Sequence, residues 1–297
     1  MLSVLLGEHS PLEHVVQHTA PEWVMKIGQT SITLMSNHIF MQIVSALLIV
    51  LIVPWALRRR HDGDETSRLV PRGLGNAIEA VCEFLRKNIF EPNLGKYTPI
   101  FAPYLWSLFF FILVQNALGM IPLSEWFKAA PNHVVGGTAT GNVFVTATLA
   151  VLTLILMVGS GLRYHGMAYV QHFFMGPPYI AWFIAILEVA GLIFKTLALC
   201  VRLFANMLAG HIIIAVLMSF IPAVAATMPM WGVAGITAAV VIGAVAFNLL
   251  EIIIVVPLHA FIFTTLTAVF IGLAVNIHHD DEHEEHEHAP AHAGGHH

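Results

Sequence analysis

The chain has 297 residues, 57% of them hydrophobic and 10% charged, with a mean hydropathy of +0.78. Soluble domains carry about 25% charged residues, so this composition excludes an ordinary globular enzyme and indicates a polytopic membrane protein organised by the bilayer. The formal charge of -5 gives no argument for nucleic-acid binding, because six of the acids lie in the last twenty residues.

Residues 1–37 are polar enough to stand outside the membrane, with about half of them predicted helical, and they lack the basic start of a cleavable signal. A first span is predicted from 39 to 57. It ends at Arg58-Arg59-Arg60, which fixes that end as inside and the N-terminus as outside. From His61 to Pro99 charges of both signs alternate, and Ile78, Val81, Leu85 and Ile89 recur at helical spacing. That pattern predicts an amphipathic helix at the inner surface. Cys82 and Cys200 match no metal or redox spacing.

The second span, 100–121, is rich in aromatics, carries Gln115 and Asn116 near its outer end and stops at Pro122. The third runs from 142 to 162 and returns to Arg163, and a short re-entry then closes at Pro177-Pro178. Two apolar stretches follow, 179–221 and 232–277. Each exceeds 60 Å as a helix, about twice the hydrocarbon thickness, so each is either strongly tilted or broken; Pro257 offers a bend in the second. Of the 13 Lys and Arg, nine fall inside, Lys26 and Lys128 fall outside, and Lys195 and Arg202 lie within the membrane. That asymmetry predicts a chain with its N-terminus out and C-terminus in. Residues 278–297, with eight His and six acids, read as a disordered, solvated inner tail without the spacing of a defined metal site. The domain plan is thus an outer segment, one membrane domain over 38–277, and the tail.

The stretch LALCVRLFANMLAGH sets Arg202 inside an apolar helix. An arginine at mid-membrane costs from about 3 kcal/mol to several times that, so its default reading is an ion pathway. The bland alternative is an ion pair with Glu188 or a lipid headgroup. Asn206 lies one turn on, and Lys195 and Glu188, seven and fourteen residues upstream, fall near the same face. His211 points to the opposite side. In the last stretch Asn248, Glu251 and His259 share a side if Pro257 does not rotate the end. A buried acid and an imidazole can relay protons. Lys195 also reads as a snorkelling side chain, His211 and His259 as packing histidines, and Gln115, Asn116 and Asn206 as helix-to-helix glue. No HExxH, phosphate loop or GxSxG is present, so hydrolase chemistry within this chain has no support.

At RLFANMLAG the chain resembles subunit a of the F-type ATP synthase, and the likeness extends through NALGMIP, ILEVAGLIFKTLALCVRLFANMLAGH and LHAFIFTTLTAVFIGLA. The resemblance covers most of residues 100–275. It implies an all-α protein of five or six membrane helices, the last two steeply tilted as a hairpin against a rotating ring of c subunits. Partners implied are that ring, b-type peripheral stalk subunits and the bilayer, with no cofactor and no nucleotide or nucleic acid bound by this chain. A bacterial inner membrane is the implied location. Arg202 matches the family's essential arginine, Asn206 the polar residue one turn later, and Glu188 and Lys195 polar positions upstream. His211 and Glu251 resemble the acid and histidine pair of the access channel. His259 stands where the family usually has Gln, one residue further from Glu251 than usual; a one-residue bulge near Pro257 absorbs the difference. The alternative is a secondary transporter of an ion or divalent metal with a midplane Arg202/Glu251 site, against which the absence of an internal repeat speaks.

Overall fold

The computed structural model describes residues 24–27, 30–33, 37–57, 73–120, 139–172, 174, 179–227 and 229–276. The readings of the first 23 residues, the outer loop at 121–138 and the His-rich tail lie outside the described residues. Within the N-terminal segment, β1 (Val24–Ile27) pairs antiparallel with β2 (Thr30–Thr33), so a hairpin stands in part of the segment expected to be about half helical. The rest is all-α, and five of its helices are long and apolar enough to cross a membrane.

α1 (Asn37–Leu57) is the first of these. α2 (Leu74–Leu85) is amphipathic, and its apolar stripe lies against protein: Leu85 is buried, and Val81 packs on the same core. The Trp106 indole N–H donates to the Cys82 carbonyl at 3.1 Å, tying α2 to the next span. A π-helical turn (Arg86–Phe90) and two short helical turns then lead into α3 (Thr98–Met120). Beside them, Arg86–Glu91 and Lys87–Glu83 form exposed ion pairs.

α4 (Val143–His165) is capped by Asn142, whose side-chain oxygen accepts from the Phe144 N–H at 2.9 Å. This satisfies one of the orphan donors of its first turn. The short α5 (Met167–His172) occupies the segment expected as a re-entry. α6 (Ala181–Ala225) runs 45 residues unbroken, about 67 Å at 1.5 Å per residue, with Pro222 in its last turn. α7 (Met230–Leu250) passes through a π-helical turn (Glu251–Val255) into α8 (Val256–Val275). Neither rod breaks, so tilt is what fits each to an apolar layer about 30 Å thick.

The core lies where α3, α4, α6 and α8 meet under the turns after α2. Phe90, Leu94, Leu105, Ile112, Ala260 and Ile271 are almost wholly enclosed there. α8 packs on α3 and α4, whereas α7 packs on α6. Large apolar side chains stand open along the hairpin, among them Trp182, Phe194, Ile242 and Ile253. Exposed apolar faces of that extent need lipid or a partner protein. At the other end of α8, the Asn276 amide donates to the Asn93 carbonyl at 2.9 Å and His165 Nε2 donates to the Val275 carbonyl at 3.0 Å. Gly272 allows the close approach, since a Cβ there would run into the Asn93 carbonyl. Gly272→Ala should cost about 1–3 kcal/mol of stability. An unchanged melting temperature of the purified complex would count against this packing.

Candidate functional site

Arg202 sits near the midpoint of α6, 21 residues after its start and 23 before its end. Its side chain is exposed and makes no ion pair or hydrogen bond among the described residues. Leu203, next to it, is 2% exposed and faces the core, so the helix directs its neighbour inward and the guanidinium outward. The alternative pairing with Glu188 does not form: that carboxylate lies fourteen residues earlier, about 21 Å along the axis. A charge on an apolar face with no paired acid among the described residues is an electrostatic half-site, complementary to an anion.

One turn on, Asn206 shares the exposed face, and its amide hydrogen-bonds His259 Nε2 on α8. His259 Nδ1 donates to the Val255 carbonyl at 2.6 Å. Further toward the C-terminal end of α6, Gly210 faces Glu251 across the hairpin, and the Glu251 carboxyl occupies the space a Cβ on Gly210 would fill. Glu251 is 2% exposed, and its Oε2 has no hydrogen-bond partner among the described residues. Asn116, Asn206, Glu251 and His259 together line a cavity of about 10 Å³, walled by Leu203, Met207, Val255 and Val256. That is room for about one water molecule. Behind it, the buried Thr140 hydroxyl donates to Asn116 Oδ1 at 2.7 Å from a 3-10 turn (Ala139–Gly141).

Four of the sequence-derived residues therefore meet: Asn116, Asn206, Glu251 and His259. The others lie apart. Asn248 is half-buried and does not line the cavity, because the π-turn between it and His259 inserts a residue and rotates the two out of phase. The bulge expected near Pro257 takes this form. His211 follows Gly210 and is half-exposed. Lys195 and Glu188 stand on the other side of Arg202, toward the N-terminal end of α6. Lys195 Nζ rests 5.9 Å from the centre of the Phe270 ring, and Glu188 is exposed. No group of three or more His, Cys, Asp or Glu suited to a metal occurs among the described residues.

Two contributors were missed by the sequence reading. Gly210 carries a usable signal, since a glycine inside a helix costs about 1 kcal/mol against alanine and so marks a close approach. Thr140 carries none: a threonine in a polar loop is ordinary until its partner is known.

The profile of the ATP synthase A chain family matches residues 39–272. The chain is 36% identical over 270 residues to ATP synthase subunit a of Chloroherpeton thalassium, covering 90% of this chain and 74% of that protein. It is 38% identical over 275 residues to ATP synthase subunit a 2 of Prosthecochloris aestuarii, with the same coverage of 90% and 74%. To ATP synthase subunit a of Myxococcus xanthus it is 35% identical over 280 residues, covering 90% of this chain and 82% of that one.

Thr140→Val keeps the shape and removes the hydroxyl that donates to Asn116 Oδ1, which leaves a buried acceptor without that bond. The expected cost is about 1–3 kcal/mol, and Thr140→Ser should recover most of it. Equal melting temperatures for the Val and Ser variants would refute the bond's importance.

Proposed function

The chain belongs to the ATP synthase A chain family, and we propose that it is the proton-conducting stator subunit of an F-type ATP synthase, with Arg202 facing a carboxylate carried by a ring of c subunits. The observation that carries this is Arg202 itself, exposed at mid-helix with no acid of its own chain among the described residues. The family's membrane character fits the five span-length apolar helices.

Two polar routes leave Arg202 in opposite directions. Toward the C-terminal end of α6 lie Asn206, His259, Glu251, Asn116 and Thr140, a connected set of groups able to pass protons. With the N-terminus outside, as the distribution of Lys and Arg supports, this is the outer half-channel. Toward the N-terminal end, Lys195 and Glu188 mark the inner one, and His211 and Asn248 flank the outer one. A carboxylate must be neutral to travel through lipid and ionised to release its proton. A fixed guanidinium between the routes favours the ionised form locally, so protons leave to one side and return from the other. The same positive charge repels a proton hopping straight past it. Each charge driven through 100 mV supplies about 2.3 kcal/mol, so several must pass per turn to make ATP in the separate soluble head.

In this reading the ring and b-type stalk subunits are the partners, the location is a bacterial inner membrane, and this chain carries no catalytic site. Arg202→Ala should abolish coupled ATP synthesis while leaving hydrolysis by the soluble head intact. Arg202→Lys should rescue it poorly, because an ammonium does not reproduce the planar, always-charged guanidinium. Normal ATP-driven pumping by either variant in inverted vesicles would defeat the assignment. Gly210→Ala should be tolerated in folding, since only the mobile end of Glu251 has to shift, yet slow proton flux as Glu251→Gln does. Unaltered flux in both would remove Glu251 from the path.

A further inference from the structure

We infer that Asn206 and His259 form an amide switch that reports the protonation of His259 to the face of α6 on which Arg202 stands. This rests on the proton-path reading above and adds a second titrating station to it.

The inference follows from which groups can donate. A carbonyl oxygen only accepts, so His259 Nδ1, 2.6 Å from the Val255 carbonyl, carries a hydrogen. The Nε2 atom is left to meet Asn206. When Nε2 is bare it accepts from the Asn206 NH2; when Nε2 is protonated it must donate, and Asn206 must offer Oδ1 instead. An amide has one end of each kind and can serve both states by turning over. Asn206 is exposed as well as lining the cavity, so the amide end not bound to His259 is open to a group on the outer face. Neutral His259 therefore presents the amide oxygen outward, which suits a protonated carboxyl. Charged His259 presents the NH2 outward, which suits a carboxylate.

The two outward states are those between which a ring carboxylate alternates. In the transfer step Asn206 releases Nε2 to the carboxylate, the Nε2–H bond of His259 breaks, an O–H bond forms on the carboxylate, and the positive and negative charges cancel. No electrons change hands. The imidazole is then recharged from the cavity it shares with Glu251. Among the described residues the titratable group that shares the cavity with His259 is Glu251 on its own rod; on α6, Arg202 lies one turn before Asn206 and His211 five residues after it. From α3 comes only the neutral Asn116.

The test is proton flux through the intact ATP synthase in liposomes, driven by an imposed potassium diffusion potential and read between about pH 5 and 8, where imidazoles titrate. The unaltered complex should show a step in flux across that range. His259→Gln keeps a side chain able to bond Asn206 but carries no proton, so flux should fall roughly tenfold and lose the step. Asn206→Asp offers only acceptors, holds the proton on Nε2, and should move the step alkaline by about one pH unit or more. A His259→Gln profile superimposable on the unaltered one overturns the switch, and so does an Asn206→Asp step that stays in place. If the His259→Gln complex does not assemble, Asn206→Asp decides alone. Arg202→Ala separates the two levels: loss of coupling there, with the His259→Gln profile unchanged, rejects the switch and keeps the wider reading, whereas coupled pumping by Arg202→Ala rejects both.

Discussion

A guanidinium on an apolar helix with no anion to meet among the described residues is the constraint on which the rest of the molecule depends. Burying Arg202 in the core would demand a partner acid, and pairing it with one would satisfy it and silence it. The fold does neither. It uses Leu203, the next residue, to anchor α6 to the core and leaves the charge on the exposed face. The core of α3, α4 and α8 serves as the support that holds this face in position.

The same separation governs the polar groups. Of those that exchange protons readily, Glu251 is enclosed, and His259 is half-buried and hydrogen-bonded, on the inner side of the hairpin. Those that meet the outside world, Arg202 and Asn206, stand on the exposed face. Asn206 belongs to both sets, since it lines the cavity and also faces outward. Gly210 makes the arrangement compact by letting a carboxyl lie against the backbone of α6.

Much of this was legible in the chain of residues. Arg202 announced itself by cost, because few forces retain an arginine in twenty apolar residues. The helices declared themselves by length and hydropathy, and the amphipathic α2 by its 3.6-residue stripe. Asn248 shows where periodicity stops being enough. Counting 100° per residue put it with Glu251 and His259, and one extra residue in a π-turn undid the count. The enclosure of Glu251 by Gly210 and the bond from Thr140 to Asn116 join residues 41 and 24 positions apart, and such pairings are set by packing between elements, which no local pattern encodes. The hairpin at β1 and β2 was hidden for a related reason: eight residues without strong alternation carry too little signal to separate strand from helix.

The wide turn from Glu251 to Val255 coincides with a change of neighbours. Before it the rod leans on α6; after it the rod is seated in α3 and α4. A rod that hands over from one support to another at a joint is also able to vary in length there. One residue more or less between Leu250 and Val256 decides whether that joint is loose or tight, while both halves keep their seats. Single-residue insertions, ruinous in most packed helices, thus have a place in this rod where they are absorbed without reshaping either neighbour.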